Sequence, residues 1–279
     1  MKRRFVNHGV ISQLFGSMSI TNWLILINVV LFFLFYILIA VDSSFINYIA
    51  LKPSDLFAGR VWTLLTSMFM HGGIGHLFVN MFSLMFIGNF LERIIGRKRF
   101  FWFYIVSGLI AGLFFAVLAQ FFGFGFFERI FSSPDTLAVG ASGAIFGLLG
   151  VLAILTPKAK VYLILGPLIA IILQSLLGLV YQGTIFTLIG FLVTIYFFIS
   201  IFAMLSFNPR MIKIAFPVEM PFWFLPIIAI VPLIIIGLFF PLPIGNTAHL
   251  GGLIAGLFYG AYLRNKYAKK VNILNRMIR

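Results

Sequence analysis

The sequence predicts an all-α polytopic membrane protein. Of its 279 residues, 62% are hydrophobic and only 9% are charged, against about 25% charged in an ordinary soluble domain. Mean hydropathy is +1.13, and the apolar residues fall in long blocks rather than in short alternating strands. A soluble protein of this size would expose too much apolar surface. That excludes a soluble enzyme, a disordered chain and a nucleic-acid-binding module. The absence of cysteine also removes disulfides, thiolate metal sites and cysteine nucleophiles.

The elements follow in order. Residues 1–19 form a basic N-terminal segment with Lys2, Arg3 and Arg4. The apolar block 20–41 is long enough to cross a hydrocarbon core of about 30 Å at about 1.5 Å per residue. It is too long for a signal-peptide core, so it is expected to be a retained first helix. Further spans are expected at 74–92, 100–122, 140–156, 161–180, 184–206, 223–240 and 246–264, which makes eight. The block 140–156 is short and rich in Gly and Ala, as expected of a central helix packed by neighbours. The loop 42–73 is rich in aromatic residues (Phe45, Tyr48, Phe57, Trp62, Phe69), which favour the membrane–water interface. A membrane domain is expected over 20–264, with a basic tail over 265–279.

The charges orient the chain. One alternating set of connections carries Lys2, Arg3, Arg4, Arg93, Arg97, Lys98, Arg99, Lys158, Lys160, Arg210 and Lys213, then the six cations of the tail from Arg264 to Arg279. That is seventeen of the 20 Lys+Arg. The opposite set holds only Lys52, Arg60 and Arg129. With both termini cytoplasmic, every loop obeys the positive-inside rule, which requires an even number of spans. The net charge of +14 therefore reads as orientation rather than as affinity for nucleic acid. The expected setting is a multi-pass protein of a prokaryotic plasma membrane.

Ionisable side chains at membrane depth are costly and therefore informative. The predicted spans hold almost none. There is no HExxH helix and no interior acid pair, so zinc and aspartyl intramembrane proteolysis are unsupported. Ion-coupled transport, which usually needs an interior charge, is unsupported as well. What remains is defined by topology. His76 opens the second span with Asn80 one turn on. Ser142 opens the short span within Gly140-Ala141-Ser142-Gly143, and His249 opens the last. All four fall at outward-facing helix ends, at one depth. Taken singly, a Ser in a small-residue helix is a packing residue, an interfacial His is common and an Asn bridges helices. Together they offer a nucleophile, a base and oxyanion donors. A serine hydroxyl needs an imidazole to take its proton, and acyl transfer needs donors at the developing negative charge. No Asp is placed to orient His249, so the pair would be a dyad. Gly140, Gly143, Gly147 and Gly150, with Gly252 and Gly256, would allow two helices to approach closely.

At these motifs the chain resembles the rhomboid family of intramembrane serine proteases. The family's H-x4-H-x3-N run reads here His71-Gly-Gly-Ile-Gly-His76-Leu-Phe-Val-Asn80. Its G-x-S-G reads Gly140-Ala-Ser142-Gly143, and its A-H-x2-G-x3-G reads Ala248-His249-Leu-Gly-Gly252-Leu-Ile-Ala-Gly256. The resemblance covers about residues 20–156 and 222–264. It implies that Ser142 is the nucleophile and His249 the general base. It further implies that His76 and Asn80 stabilise the oxyanion, that His71 supports the adjoining loop and that Phe146 packs on the His249 ring. It also implies transmembrane protein substrates cut near the outer face within the lipid bilayer, with no cofactor and no metal.

Two features depart from the family. Many relatives carry a Trp-Arg pair in the first loop, and here it reads Trp62-Thr63. The interval from Ser142 to His249 is also long and holds two extra apolar blocks. The expected fold is thus a six-helix rhomboid-like core with a helical hairpin, 161–206, inserted between core helices four and five. Three functions compete: an active protease, a catalytically inactive rhomboid-like protein that binds membrane segments for quality control, and a small-solute transporter. The intact Ser142/His249 pair favours the first, and the absence of interior charge weighs against the third.

Overall fold

A computed structural model describes residues 18–177, 181, 183–206, 208–239 and 245–277. The sequence expectations for Lys2, Arg3, Arg4 and Arg279, and for 178–180 and 240 within two spans, lie outside the described residues. The chain is built from helices: α1 (Ile20–Val41), α2 (Ile74–Ile95), α3 (Arg97–Phe122), α4 (Ser142–Leu155), α5 (Leu165–Leu177), α6 (Thr184–Leu205), α7 (Leu225–Phe239), α8 (Asn246–Lys266) and α9 (Ala268–Met277). Among the described residues α1, α2, α3 and α6 are each long and apolar enough to cross a membrane. The fold is therefore all-α and polytopic, as its composition requires: every backbone N–H and C=O in a bilayer must be paired within the segment.

One expectation needs correction. The block 161–180 is not helical from its start. Lys160–Ile164 is a strand (β1) paired antiparallel with Pro217–Pro221 (β2), in the register Lys160↔Pro221 to Ile164↔Pro217. Hydropathy cannot separate a short apolar strand from the first turns of a helix. Here β-branched and aromatic residues, Val161 and Tyr162, take the strand, and α5 begins at Leu165. The ladder joins the two ends of the insertion, so α5 and α6 leave and return at one point and α7 continues from where α4 stopped. Lys160 Nζ lies 2.6 Å from Glu219 Oε1 across the ladder. The tail also differs from a bare basic segment, because it contains helix α9.

Helix α4 is the centre of the molecule. Its 14 residues span about 21 Å, short of the hydrocarbon thickness of about 30 Å. It is held on one side by α8 and on the other by α3. The seam with α8 is glycine against glycine. A Cβ at Gly252 would fall on the Gly143 carbonyl, one at Gly256 on the Gly147 carbonyl, and one at Gly150 within 2.6 Å of the Leu253 carbonyl. Towards α3, Gly143 faces Ala111 and Gly147 faces Ser107, where an added Cβ would come within 2.6 Å. Without a hydrophobic driving force between helices in lipid, this close backbone approach supplies the packing energy.

Helix α1 is docked by a buried carboxylate. Ser19 caps the helix, accepting from Asn22 N at 3.1 Å. The next two free N–H groups, Ile20 N and Thr21 N, donate to Glu92 Oε1 and Oε2 at 2.9 and 2.8 Å, and Thr21 Oγ1 donates at 2.7 Å. Glu92 thus satisfies the orphan donors of another helix and complements its dipole. A π-type turn at Leu84–Gly88 adjusts α2 where α1 crosses it. A Cβ at Gly88 would press on Thr21 at 2.8 Å. Replacing Glu92 with Ala leaves three donors, two of them buried, without this partner. A loss of about 3 kcal/mol is expected, read as a lower unfolding midpoint, with a smaller loss for Glu92→Gln.

Candidate functional site

The site is assembled from the loop 42–73, the turn before α4, and the first turns of α2, α4 and α8. The loop is organised by short helical turns at Pro53–Phe57, Thr63–Thr66 and Ser67–Phe69. Position 63 is Thr rather than Arg, and the tie is made from Arg60. Its Nη1 lies 2.8 Å from Asp55 Oδ2 and donates to the Asn47 carbonyl at 3.0 Å, while its guanidinium stacks on Tyr48. Trp62 Nε1 donates to the Tyr48 carbonyl at 3.0 Å, and Thr66 Oγ1 to the Ile49 carbonyl at 2.8 Å.

This loop holds the segment that leads into α4. Leu51 and Ala138 exchange both backbone hydrogen bonds, at 3.0 and 2.8 Å, and Gly140 N donates to the Ser67 carbonyl at 2.9 Å. Lys52 pairs with Asp135 at 3.1 Å. Gly140 has φ +121, a region that favours glycine. A Cβ there would also come within 2.8 Å of His76 Nε2. Both the backbone angle and the space therefore require Gly immediately before the serine turn.

Ser142 opens α4 and His249 sits in the first turn of α8. Their side chains meet, with His249 Nε2 2.8 Å from Ser142 Oγ. The glycine seam makes this contact possible, because it brings the two helices to backbone distance just below it. Phe146, one turn after Ser142, stacks on the His249 ring with centroids 4.3 Å apart and planes at 16°. The imidazole is thereby fixed in orientation by an aromatic face. Among the described residues His249 Nδ1 has no hydrogen-bond partner, so no carboxylate orients it. Thr247 and His249 are both buried.

His76 and Asn80 face the same space. His76 Nδ1 accepts from Gly72 N at 3.4 Å, which leaves Nε2 as the protonated nitrogen in the neutral ring. That nitrogen and Asn80 Nδ2 both border Gly140. Asn80 is 4% exposed, and among the described residues its Nδ2 has no hydrogen-bond partner. A buried amide donor left unpaired is costly. His71 is buried beneath the loop and meets the His76 ring edge-on at 5.2 Å. Burial, with His76 beside it, pushes the His71 imidazole down to about 4, so it is uncharged at neutral pH. Among the described residues no group of three His, Asp or Glu side chains is gathered in a way that would hold a metal ion.

The arrangement joins a hydroxyl, an imidazole within proton-transfer distance and two side-chain N–H donors near the same backbone turn. Sequence reasoning missed what supports it. The Ser67 carbonyl and the Leu51–Ala138 pairing act through the backbone, over separations of roughly seventy to ninety residues, and side-chain pattern carries no trace of them. The α3 side of the seam did leave a signal that was passed over: Ser107, Gly108 and Ala111 form a small-residue face at helical spacing.

The chain is similar to known proteins. The family model for the rhomboid domain matches residues 58–196 and 183–266, two pieces whose junction lies in the inserted hairpin. RHOMBOID-like protein 5 of Arabidopsis thaliana is 39% identical over 101 residues, covering 36% of this chain and 29% of that protein. The protein named putative rhomboid protease YdcA of Bacillus subtilis is 36% identical over 94 residues, covering 33% of this chain and 40% of that protein. Inactive RHOMBOID-like protein 8 of Arabidopsis thaliana is 37% identical over 101 residues, covering 36% and 24%. In each case the matched segment spans less than half of the relative's length. The domain match covers well over half of the chain, including the second half of the loop, the α4 turn and the start of α8, and on that ground the chain belongs to the rhomboid family.

Proposed function

We propose that the protein is an intramembrane serine protease that hydrolyses peptide bonds of transmembrane proteins near the outer membrane face. The observation that carries this reading is the 2.8 Å contact between Ser142 Oγ and His249 Nε2 at the recessed end of a helix too short to cross the bilayer. His249 takes the serine proton as Oγ attacks the scissile carbonyl, and returns it to the leaving amine. Phe146 holds the ring in place of an acid. His76 Nε2–H, Asn80 Nδ2 and the Ser142 N–H donate to the oxyanion, which gives the unpaired amide of Asn80 its acceptor. His71 supports the loop, and Gly140, Gly143, Gly252 and Gly256 allow the approach of backbone that the geometry needs. Water then resolves the acyl-enzyme, and no cofactor or metal takes part.

The same reading places eight spans in a cell membrane with both termini in the cytoplasm, on the strength of the Lys/Arg distribution. The test is cleavage of a single-span substrate by purified protein in bilayers. Wild type is expected to cut it, while Ser142→Ala and His249→Ala lose nearly all activity. Cleavage by Ser142→Ala as fast as by wild type would refute the dyad, and no cleavage by wild type would favour an inactive membrane-segment-binding protein. For Asn80→Ala a fall in kcat of about 10²–10³ is expected, the cost of one oxyanion donor, with KM little changed. An unchanged kcat removes Asn80 from that role.

A further inference from the structure

The insertion carries a cavity unrelated to the serine site. It lies between α5, α6 and the chain entering β2, has a volume of about 440 Å³ and is almost wholly apolar. Gly166, Ala170 and Leu173 line it from α5. Their spacing is one stripe along that helix, so the groove runs parallel to the helix axis over roughly 12 Å from Leu165 to Leu173. Tyr196 of α6 lines it from the other helix, and Phe216 and Val218 from the chain entering β2. Gly166 is what admits Tyr196, because a Cβ there would overlap the phenol oxygen. Tyr196 in turn donates to the Ile214 carbonyl at 2.9 Å and fastens the turn Lys213–Ala215 across the end of the groove.

That end is positively charged. Lys213 is in the closing turn and Arg210 one turn before it. Both are exposed, and neither is in an ion pair among the described residues. Glu219 is the only acid anywhere after Asp135, and it is already engaged by Lys160 at 2.6 Å and by the Tyr162 hydroxyl at 3.1 Å. A volume of about 440 Å³ suits one extended chain better than a transmembrane helix, which is about 10–12 Å across. A groove for one hydrocarbon chain, ending at two unpaired cations on the Lys/Arg-rich side, fits one kind of molecule.

We propose that the inserted hairpin is a binding site for an anionic phospholipid, with one acyl chain along α5 and the headgroup phosphate at Lys213 and Arg210. Cations at that leaflet attract acidic lipids generally; the groove adds a defined seat for the chain, so the lipid is held at the hairpin root rather than spread around the protein.

The absence of cysteine permits a clean test. Leu173→Cys is labelled with bimane and the full chain is placed in phosphatidylcholine vesicles. Brominated phosphatidylglycerol or brominated phosphatidylcholine is then added at matched mole fractions. Phosphatidylglycerol is expected to quench with an apparent affinity on the order of tenfold higher. Arg210→Gln with Lys213→Gln should abolish the preference, while Arg210→Lys with Lys213→Arg should keep it, a readout that loss of folding would not reproduce. Equal quenching by both lipids overturns the proposal. So does a preference that survives the Gln pair, or no quenching by either lipid.

Discussion

Replacing Ser142 with Ala is expected to lower kcat by at least about 10⁴-fold while leaving the fold intact. The magnitude follows from how the dyad works. Without the hydroxyl there is no acyl-enzyme, and only the donors and binding remain, which elsewhere leave modest residual catalysis over water. The substitution removes one oxygen from a side chain in the opening turn of α4 and does not touch the seam below. The unfolding free energy should fall by no more than about 1–3 kcal/mol, the cost of leaving the buried His249 Nε2 unpaired. Covalent labelling by a fluorophosphonate supplies a second readout, expected at Ser142 alone and absent from Ser142→Ala. Labelling that persists in the variant would place the nucleophile elsewhere. His249→Ala should match the loss in rate, because the two groups act as a unit and their effects do not add.

Gly256→Val is expected to have the largest effect on stability, although it touches neither Ser142 nor His249. Its first added carbon falls on the Gly147 carbonyl and within 3.0 Å of the Gly150 Cα. Both obstacles are backbone, so no side chain can turn aside, and α8 must move away from α4. Overpacking of this kind costs about 3 kcal/mol or more. Separation of the helices also draws His249 away from Ser142, so activity should fall with stability in detergent unfolding and cleavage assays. Gly256→Ala should lie between the two. Phe258→Val, on the lipid-facing side of the same helix and 75% exposed, serves as the control and is expected to change little. A wild-type midpoint for Gly256→Val would mean that the seam does not bear on stability.

The legible part of this protein was the part written in side-chain chemistry. Apolar blocks place the helices, and His76, Asn80, Ser142 and His249 announce themselves by being polar near helix starts. The strand Lys160–Ile164 was not legible, because five apolar-rich residues satisfy strand and helix patterns equally. Its partner Pro217–Pro221, more than fifty residues on, settles the choice. The role of Glu92 was hidden for a similar reason: a lone acid at the end of α2 looks like a solvated charge until Ile20 and Thr21 of α1 are found bonded to it. Arg60 could not be matched to the missing Trp-Arg pair from spacing alone, since Asp55 and the Asn47 carbonyl are what make it the anchor of the loop.

The sequence by itself determined that the chain is a multi-pass membrane protein and which side chains are available for chemistry. Those properties follow from transfer energies, which each residue carries wherever the chain goes. The tertiary structure alone decided that Ser142 and His249 stand 2.8 Å apart. That distance depends on backbone meeting backbone at Gly143, Gly147, Gly252 and Gly256, and on Gly140 held by the Ser67 carbonyl. Such contacts involve no side chain, so residue type permits them and only packing brings them about.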